Sequence, residues 1–233
     1  MPGDEPMTTP EPTSATQPTP ATTILLIRHG ETAWNAERRL QGHLDIPLNA
    51  EGERQAGLLA AALAAEPLDL LVSSDLMRAR QTAQAIADLR GIPLHIEAGL
   101  RERCYGGFEG LLYAEIEQRY PREFAAWQAR DIDGMLPPGK NHGETFRAFF
   151  DRATAAILAL GAAHPGKTLA LVAHGGVLEC AYRLAQGLPL ETPRDFKVFN
   201  ASINRFVLED GKLRLGSWGE VEHLRPAVLD ELS

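Results

Sequence analysis

The chain has 233 residues, 44% of them hydrophobic, which suits one α/β domain with a full core and matches a globular composition. Its 23 Lys and Arg against 31 Asp and Glu give a formal charge of −8. That balance argues against general nucleic-acid or membrane binding, and no apolar run is long enough to span a bilayer.

Residues 1–22 carry Pro2, Pro6, Pro10, Pro12, Pro18 and Pro20, many threonines and almost no large apolar side chain. Such a segment cannot bury enough surface to offset its ordering entropy, so it is expected to be a disordered tail. It has neither the basic start nor the apolar stretch of a secretory signal. The tail contributes Asp4, Glu5 and Glu11 and no base, so the remainder carries −8 + 3 = −5. An anionic substrate remains compatible with that charge, provided basic groups converge in one pocket.

A domain is expected over residues 23–220, with 221–233 as a C-terminal tail. The apolar, β-branched run Thr22–Ile27 predicts a buried strand ending at Arg28-His29-Gly30. Glu51–Ala65 reads as a helix capped by Asn49. Leu68–Ser73 is a second buried strand, and Asp75–Leu89 a helix capped by Ser74 or Asp75. Leu94–Ile96 is a short strand. Leu111–Tyr120 and Pro121–Arg130 are two helices, the second opened by proline. Asp131–Asn141, with Pro137, Pro138 and Gly139, is a loop placed to close over a site and set specificity. Phe146, Phe149, Phe150, Ala153, Ile157 and Leu160 keep helical spacing, so Gly143–Leu160 is an amphipathic helix. Thr168–Ala173 is a third buried strand ending in His174-Gly175-Gly176, followed by a helix to Ala185. Phe199–Leu208 and Leu213–Trp218 form a hairpin around Asp210-Gly211.

Alternating strands and helices imply a mostly parallel sheet covered on both faces, a three-layer α/β/α sandwich. Ligands bind such sheets at the carboxyl ends of the strands. Three strand ends carry suitable residues: Arg28-His29-Gly30, Ser73-Ser74 with Arg78 just beyond, and His174-Gly175-Gly176. A histidine at a strand tip before glycine is reachable by a ligand, and neutral imidazole is a nucleophile toward phosphorus. Arg28 and Arg78 suit a tetrahedral dianion, because guanidinium can grip two oxygens at once. His174 facing the same anion would favour its protonated form. Those cations supply the positive charge that metals provide elsewhere, so no metal or other cofactor is required. Glu102 is the candidate acid for the leaving oxygen and base for the attacking water, with Glu109 as competitor. Cys104 and Cys180 lack CxxC or zinc-like spacing and read as inert thiols of a reducing, cytoplasmic compartment.

The ordered set Leu26–Asn35 (LIRHGETAWN), Gln41–Leu48 (QGHLDIPL), Ser73–Thr82 (SSDLMRARQT), Leu100–Glu102 with Gly106 and Glu109-Gly110, and Val172–Gly176 (VAHGG) resembles the histidine phosphatase superfamily, also called phosphoglycerate mutase-like. It covers roughly residues 23–210. The resemblance implies a phosphohistidine intermediate on His29, assigns Arg28, Arg78 and His174 to the phosphate pocket, and gives proton transfer to Glu102. It adds Asn35 as a phosphoryl contact and the Gln41-Gly42 turn as pocket lining, with Gly175 beside His174. The family's mutases usually carry a histidine in place of Cys104 and a longer insertion between the acid and the second histidine. The compact segment here, with Glu109, favours a phosphatase acting on a small phosphorylated metabolite. The alternatives are a bisphosphoglycerate-dependent phosphoglycerate mutase and a non-catalytic phospholigand binder. Arg119–Phe124 also resembles a piece of fructose-2,6-bisphosphatases, but helix packing by Tyr120, Phe124 and Trp127 accounts for it more simply. His142 beside Gly143-Glu144 is a candidate substrate contact. A homodimer is compatible with the resemblance.

Overall fold

The structure is a computed structural model that describes residues 19–225. Most of both expected tails therefore lies outside the described residues. The first strand, β1 (Thr22–Arg28), shows how the sequence makes layers. Successive side chains of a strand point to opposite faces. Ile24 and Leu26 enter one core cluster, with Phe149, Ile157 and Leu178, while Leu25 and Ile27 enter another, with Leu59, Ala83 and Ile86. A strand buried on both faces reads as a continuous apolar run, and this one does.

The elements that follow are α1 (Ala33–Ala36), α2 (Ala50–Ala62), β2 (Leu70–Ser73), α3 (Met77–Arg90), β3 (Leu94–Ile96), α4 (Tyr113–Arg119), α5 (Pro121–Gln128) and α6 (Phe146–Ala163). Then come β4 (Thr168–Ala173), α7 (Gly175–Gln186), β5 (Ile203–Glu209) and β6 (Lys212–Glu220). The sheet order is β3-β2-β4-β1-β5-β6. The first four are parallel and β5 and β6 are antiparallel. Helices α2 and α3 cover one face, α6 and α7 the other. A third cluster, Phe108, Ile116 and Leu136 under Tyr120, Phe124 and Trp127, holds α4 and α5 to the body. Among the described residues no helix is long and apolar enough to cross a membrane.

Several boundaries differ from expectation for identifiable reasons. Thr22 belongs to the sheet, because its hydroxyl donates to Gly161 O (2.9 Å) and His164 O (3.0 Å) at the end of α6. Helix α3 starts at Met77 with Leu76 at the cap. Ser74 and Asp75 are used elsewhere: Ser74 Oγ meets His174, and Asp75 pairs with Arg101 at 2.5 Å. Helix α6 starts at Phe146 rather than Gly143, because Thr145 accepts from Ala148 N (3.1 Å) while Glu144 turns away to Arg152. Helix α4 begins at Tyr113, two residues late, after an isolated bridge between Leu112 and Arg39. β5 begins at Ile203, not Phe199, since Ala201 N is drawn to His29 O (3.2 Å). The Asn49 cap and the Asp210-Gly211 turn, with both residues at positive φ, are as read from sequence.

Candidate active site

Parallel strands β1 and β4 are adjacent, and the residue after each is a histidine. His29 N donates to Ala173 O (3.0 Å), which keeps the two tips in register. The ring centroids lie 5.2 Å apart. Both rings are buried, at 3% and 0% exposure.

His29 Nδ1 lies 2.7 Å from Gly30 O. A carbonyl only accepts, so Nδ1 carries the proton and Nε2 keeps its lone pair. Burial, with Arg78 and Arg28 nearby, holds the ring's pKa well below the usual histidine value, so it is neutral. His174 Nε2 meets Ser74 Oγ at 2.9 Å. Burial and Arg78 likewise hold it well below its usual value. The ring is therefore neutral, whereas the expectation of a protonated His174 is tied to an anion facing it.

Arg28 comes from the last residue of β1 and Arg78 from the first turn of α3. Arg28 Nη1 donates to Val198 O (2.7 Å), and Arg78 donates to Gly42 O (2.8 Å) and Leu44 O (3.0 Å). Burial lowers each to about 10, partly opposed by Glu102, so both stay cationic at neutral pH. Among the described residues, the buried side-chain nitrogens and oxygens without a partner are Arg28 Nε, Arg78 Nε and His174 Nδ1. A buried polar group left unpaired costs about 1–3 kcal/mol. Three such atoms in one place define a cradle for an acceptor-rich anion.

Glu102 is held from both sides. Oε1 accepts from Arg103 N (2.8 Å) and Oε2 from Gly176 N (3.0 Å). A Cβ at position 176 would strike the Glu102 carboxylate and the Phe149 ring, so glycine is required there. The Glu102 carbonyl accepts from His43 Nε2 (2.7 Å) and Arg152 Nη2 (3.1 Å). Arg152 is fixed by both oxygens of Glu144, at 2.9 Å each, and also donates to Gly99 O (2.9 Å). His43, Glu144 and Arg152 thus position Glu102, a contact network that nothing in their sequence neighbourhood reveals.

Glu109, the competing acid, does not line the pocket. Its Oε1 accepts from His43 N (2.8 Å) and Tyr105 N (3.1 Å), and its Oε2 from Asn141 Nδ2 (2.7 Å). It braces loops, and it lies where a Cβ on Gly42, at φ 53°, would fall.

The cavity has a volume of about 650 Å³, and Arg28, His29, Arg78 and Glu102 line it. Asn35, Gln41, Gly42 and Gly175 also line it, whereas His174 lies fully buried beside His29. Asn35 Oδ1 accepts from Thr32 N (3.1 Å) and Asn200 Nδ2 (3.3 Å), and Gln41 Oε1 from Thr32 Oγ1 (3.0 Å). Both amides are therefore oriented with their NH2 groups uncommitted to those contacts. The structure thus brings Arg28, His29, Asn35, Gln41, Gly42, Arg78, Glu102, His174 and Gly175 to this one location, and leaves Glu109 and His142 outside it.

It does not bring the 131–141 loop there. No residue of that loop lines the cavity, and neither does the exposed His142. Gly107 N donates to Pro137 O (2.6 Å), so the loop folds back on the 106–109 turn. The outer lining comes instead from Trp34, Tyr113, Arg194 and Val198, which sequence reasoning missed. Both cysteines are buried and unpaired, and burial pushes Cys104 up to about 11 and Cys180 well above its usual value. Among the described residues, no group of three or more His, Cys, Asp and Glu side chains is arranged to hold a metal ion.

A parallel-sheet protein with two facing imidazoles and two underused guanidiniums at its strand ends is an oxyanion-handling enzyme of the phosphoryl-transfer type. Residues 24–221 match the histidine phosphatase superfamily (branch 1), and the chain belongs to that family. It is 39% identical over 204 residues to phosphoglycerate mutase-like protein 4 of Arabidopsis thaliana, covering 86% of each chain. It is 38% identical to a metal-independent phosphoserine phosphatase of the same plant, covering 87% of this chain and 83% of that one. Phosphoserine phosphatase of Entamoeba histolytica, solved with 3-phosphoglyceric acid, superposes with a TM-score of 0.77 at 28% identity, over 88% of this chain and 100% of that one. Enzymes of this superfamily act through a phosphohistidine intermediate.

Proposed function

We propose that residues 23–220 form a catalytic domain that hydrolyses a small phosphomonoester through a phosphohistidine on His29. The observation that carries this reading is the coincidence of a neutral, tautomer-fixed His29 with the three unpartnered nitrogens around it. Arg28, Arg78 and His174 bind the phosphoryl oxygens, and Asn35 and Gln41 add amide donors. His29 Nε2 attacks phosphorus as the ester P–O bond breaks, and the Glu102 carboxyl gives its proton to the leaving oxygen. Charge developing on the equatorial oxygens meets the unspent N–H groups of the two arginines, which need no reorganisation. In the second step water loses a proton to Glu102 and attacks phosphohistidine, releasing phosphate and restoring neutral His29.

Water must enter for the second step. Residues 131–141 contribute nothing to the cavity lining, which favours hydrolysis over retention of the phosphoryl group for return to a second substrate. Relatives with phosphatase names include the two phosphoserine phosphatases above, so phosphorylated small acids belong in the first substrate screen. Phosphate release across small phosphoesters, together with acid-labile, alkali-stable labelling of His29 from a phosphorus-labelled substrate, tests the reading. Rapid conversion of 3-phosphoglycerate to 2-phosphoglycerate with a bisphosphorylated primer, and without phosphate release, would reject hydrolysis in favour of a mutase.

A further inference from the structure

Among the guanidiniums at the cavity that have no assigned task, that of Arg38 included, only Arg194 also reaches a second cavity. Arg194 lines the 650 Å³ cavity and also a second one of about 370 Å³. The two share Tyr105, Tyr113, Gly176 and Glu179 as common lining, so they adjoin. Arg194 sits in the segment between α7 and β5, which has no regular structure yet is tied down on both sides of it. Before it, the fully buried Arg183 donates to Pro189 O (2.9 Å) and Thr192 O (2.7 Å), and Arg130 to Leu190 O (3.1 Å). After it, Phe196 stacks on Tyr182 with centroids 4.0 Å apart, Trp218 Nε1 holds Lys197 O (2.8 Å), and Arg28 holds Val198 O (2.7 Å).

The anchoring network leaves Arg194 unspent. Glu179 Oε1 is taken by Arg130 at 2.6 Å and Arg183 at 2.9 Å. Arg194 approaches only Oε2, at 3.6 Å, beyond hydrogen-bond length, and its side chain is 46% exposed. Its charge is felt at Arg28, where it adds to the lowering that burial causes and Glu102 opposes. A rigid loop thus presents a free planar cation beside the phosphoryl site.

Resting on the hydrolase reading above, we infer that Arg194 determines specificity by gripping a second oxyanion on the leaving group, a carboxylate or a further phosphate, at the junction of the two cavities. The anion displaces the long Glu179 contact and takes two parallel N–H groups, the geometry that guanidinium offers to planar or tetrahedral oxyanions. Arg194 acts on binding and orientation and takes no part in bond making.

The test compares substrates that differ only in the second anion. The ratio of kcat/KM for 3-phosphoglycerate over glycerol 3-phosphate reads the carboxylate, and that for fructose 1,6-bisphosphate over fructose 6-phosphate reads the second phosphate. At least one ratio is expected to be large in the wild type. In Arg194→Gln it falls by about 10- to 100-fold, mainly through KM, the loss expected for one charge-assisted contact. Arg194→Lys restores part of it. Arg214→Gln removes the same charge from the exposed face of β6, outside both cavities, and keeps the ratio. Ratios near one in the wild type, or equal losses in Arg194→Gln and Arg214→Gln, overturn the inference while hydrolysis of p-nitrophenyl phosphate shows the enzyme reading intact. Absence of all phosphate release defeats both.

Discussion

Arg183 and Arg78 are both buried guanidiniums in one molecule, and their surroundings are opposite. Arg183 is satisfied by Glu179 at 2.9 Å and by two carbonyls. Arg78 has two carbonyls but no carboxylate partner in an ion pair, and its Nε is without any partner. Arg28 matches Arg78 in having an orphaned Nε. A charge buried for structure is neutralised by the protein; a charge buried for binding is left for the ligand to neutralise. The difference separates the anchoring network from the phosphoryl site without reference to any relative.

The largest effect that would break this contrast is at the nucleophile between the two unspent cations. His29→Ala is expected to lower kcat by on the order of 10⁴-fold or more and to abolish phosphoenzyme labelling, read by rapid quench. Retained turnover would reject His29 as the nucleophile. Next, Arg78→Met is expected to reduce kcat/KM by about 10²–10³-fold, the loss typical of a charge-stabilising donor. Its unfolding free energy should change by less than about 1 kcal/mol, because an uncompensated charge leaves with its hydrogen bonds. Arg183→Met should do the reverse, costing about 3 kcal/mol in urea unfolding, since it breaks a buried pair. Equal stability losses in the two variants would erase the distinction.

The pH dependence of stability sharpens the same point. Both site histidines have folded pKa values well below the usual one, so as pH falls through about 6.5 the unfolded chain takes up protons that the folded chain refuses. Their neutral burial costs nothing above that pH and costs stability below it. Urea unfolding between pH 5 and 8 should show stability falling by up to about 1.4 kcal/mol per pH unit for each histidine on the acid side. His174→Gln should remove one such contribution. Smallest of all, EDTA should change phosphate release by less than about 2-fold, because guanidiniums occupy the place where a metal would stand.

The pairing of the two histidines at the candidate site was legible because it is local. A buried β-branched run followed by Arg28-His29-Gly30 announces a strand and its tip, and Thr168–Ala173 before His174 does the same. Adjacent parallel strands then bring the tips together. The placement of Glu102, the proposed acid, was less legible, since it is fixed by Gly176 N and by the His43, Arg152 and Glu144 network from other segments. The outer cavity was not legible at all. The Pro/Gly-rich composition of 131–141 marks a loop correctly but cannot say where it lies: the contact between Gly107 and Pro137 keeps it out of the first cavity, while Asp131 and Ile132 line the second. Arg194 reaches the cavity only because Arg183 and Arg130 pin the chain before it, a pairing across distant positions that periodicity does not encode.

The hydrogen bond from His29 N to Ala173 O means that the distance between the two imidazoles is a strand spacing, near the roughly 4.8 Å separation of neighbouring strands. Sheet geometry hardly varies, whereas the Arg194 loop and the short helices α1 and α4 that carry Trp34 and Tyr113 hang from its margin. Substitution or lengthening of those margins can therefore retune what is recognised while the reacting atoms keep their separation. Such a scaffold can diversify its clientele without re-inventing its chemistry.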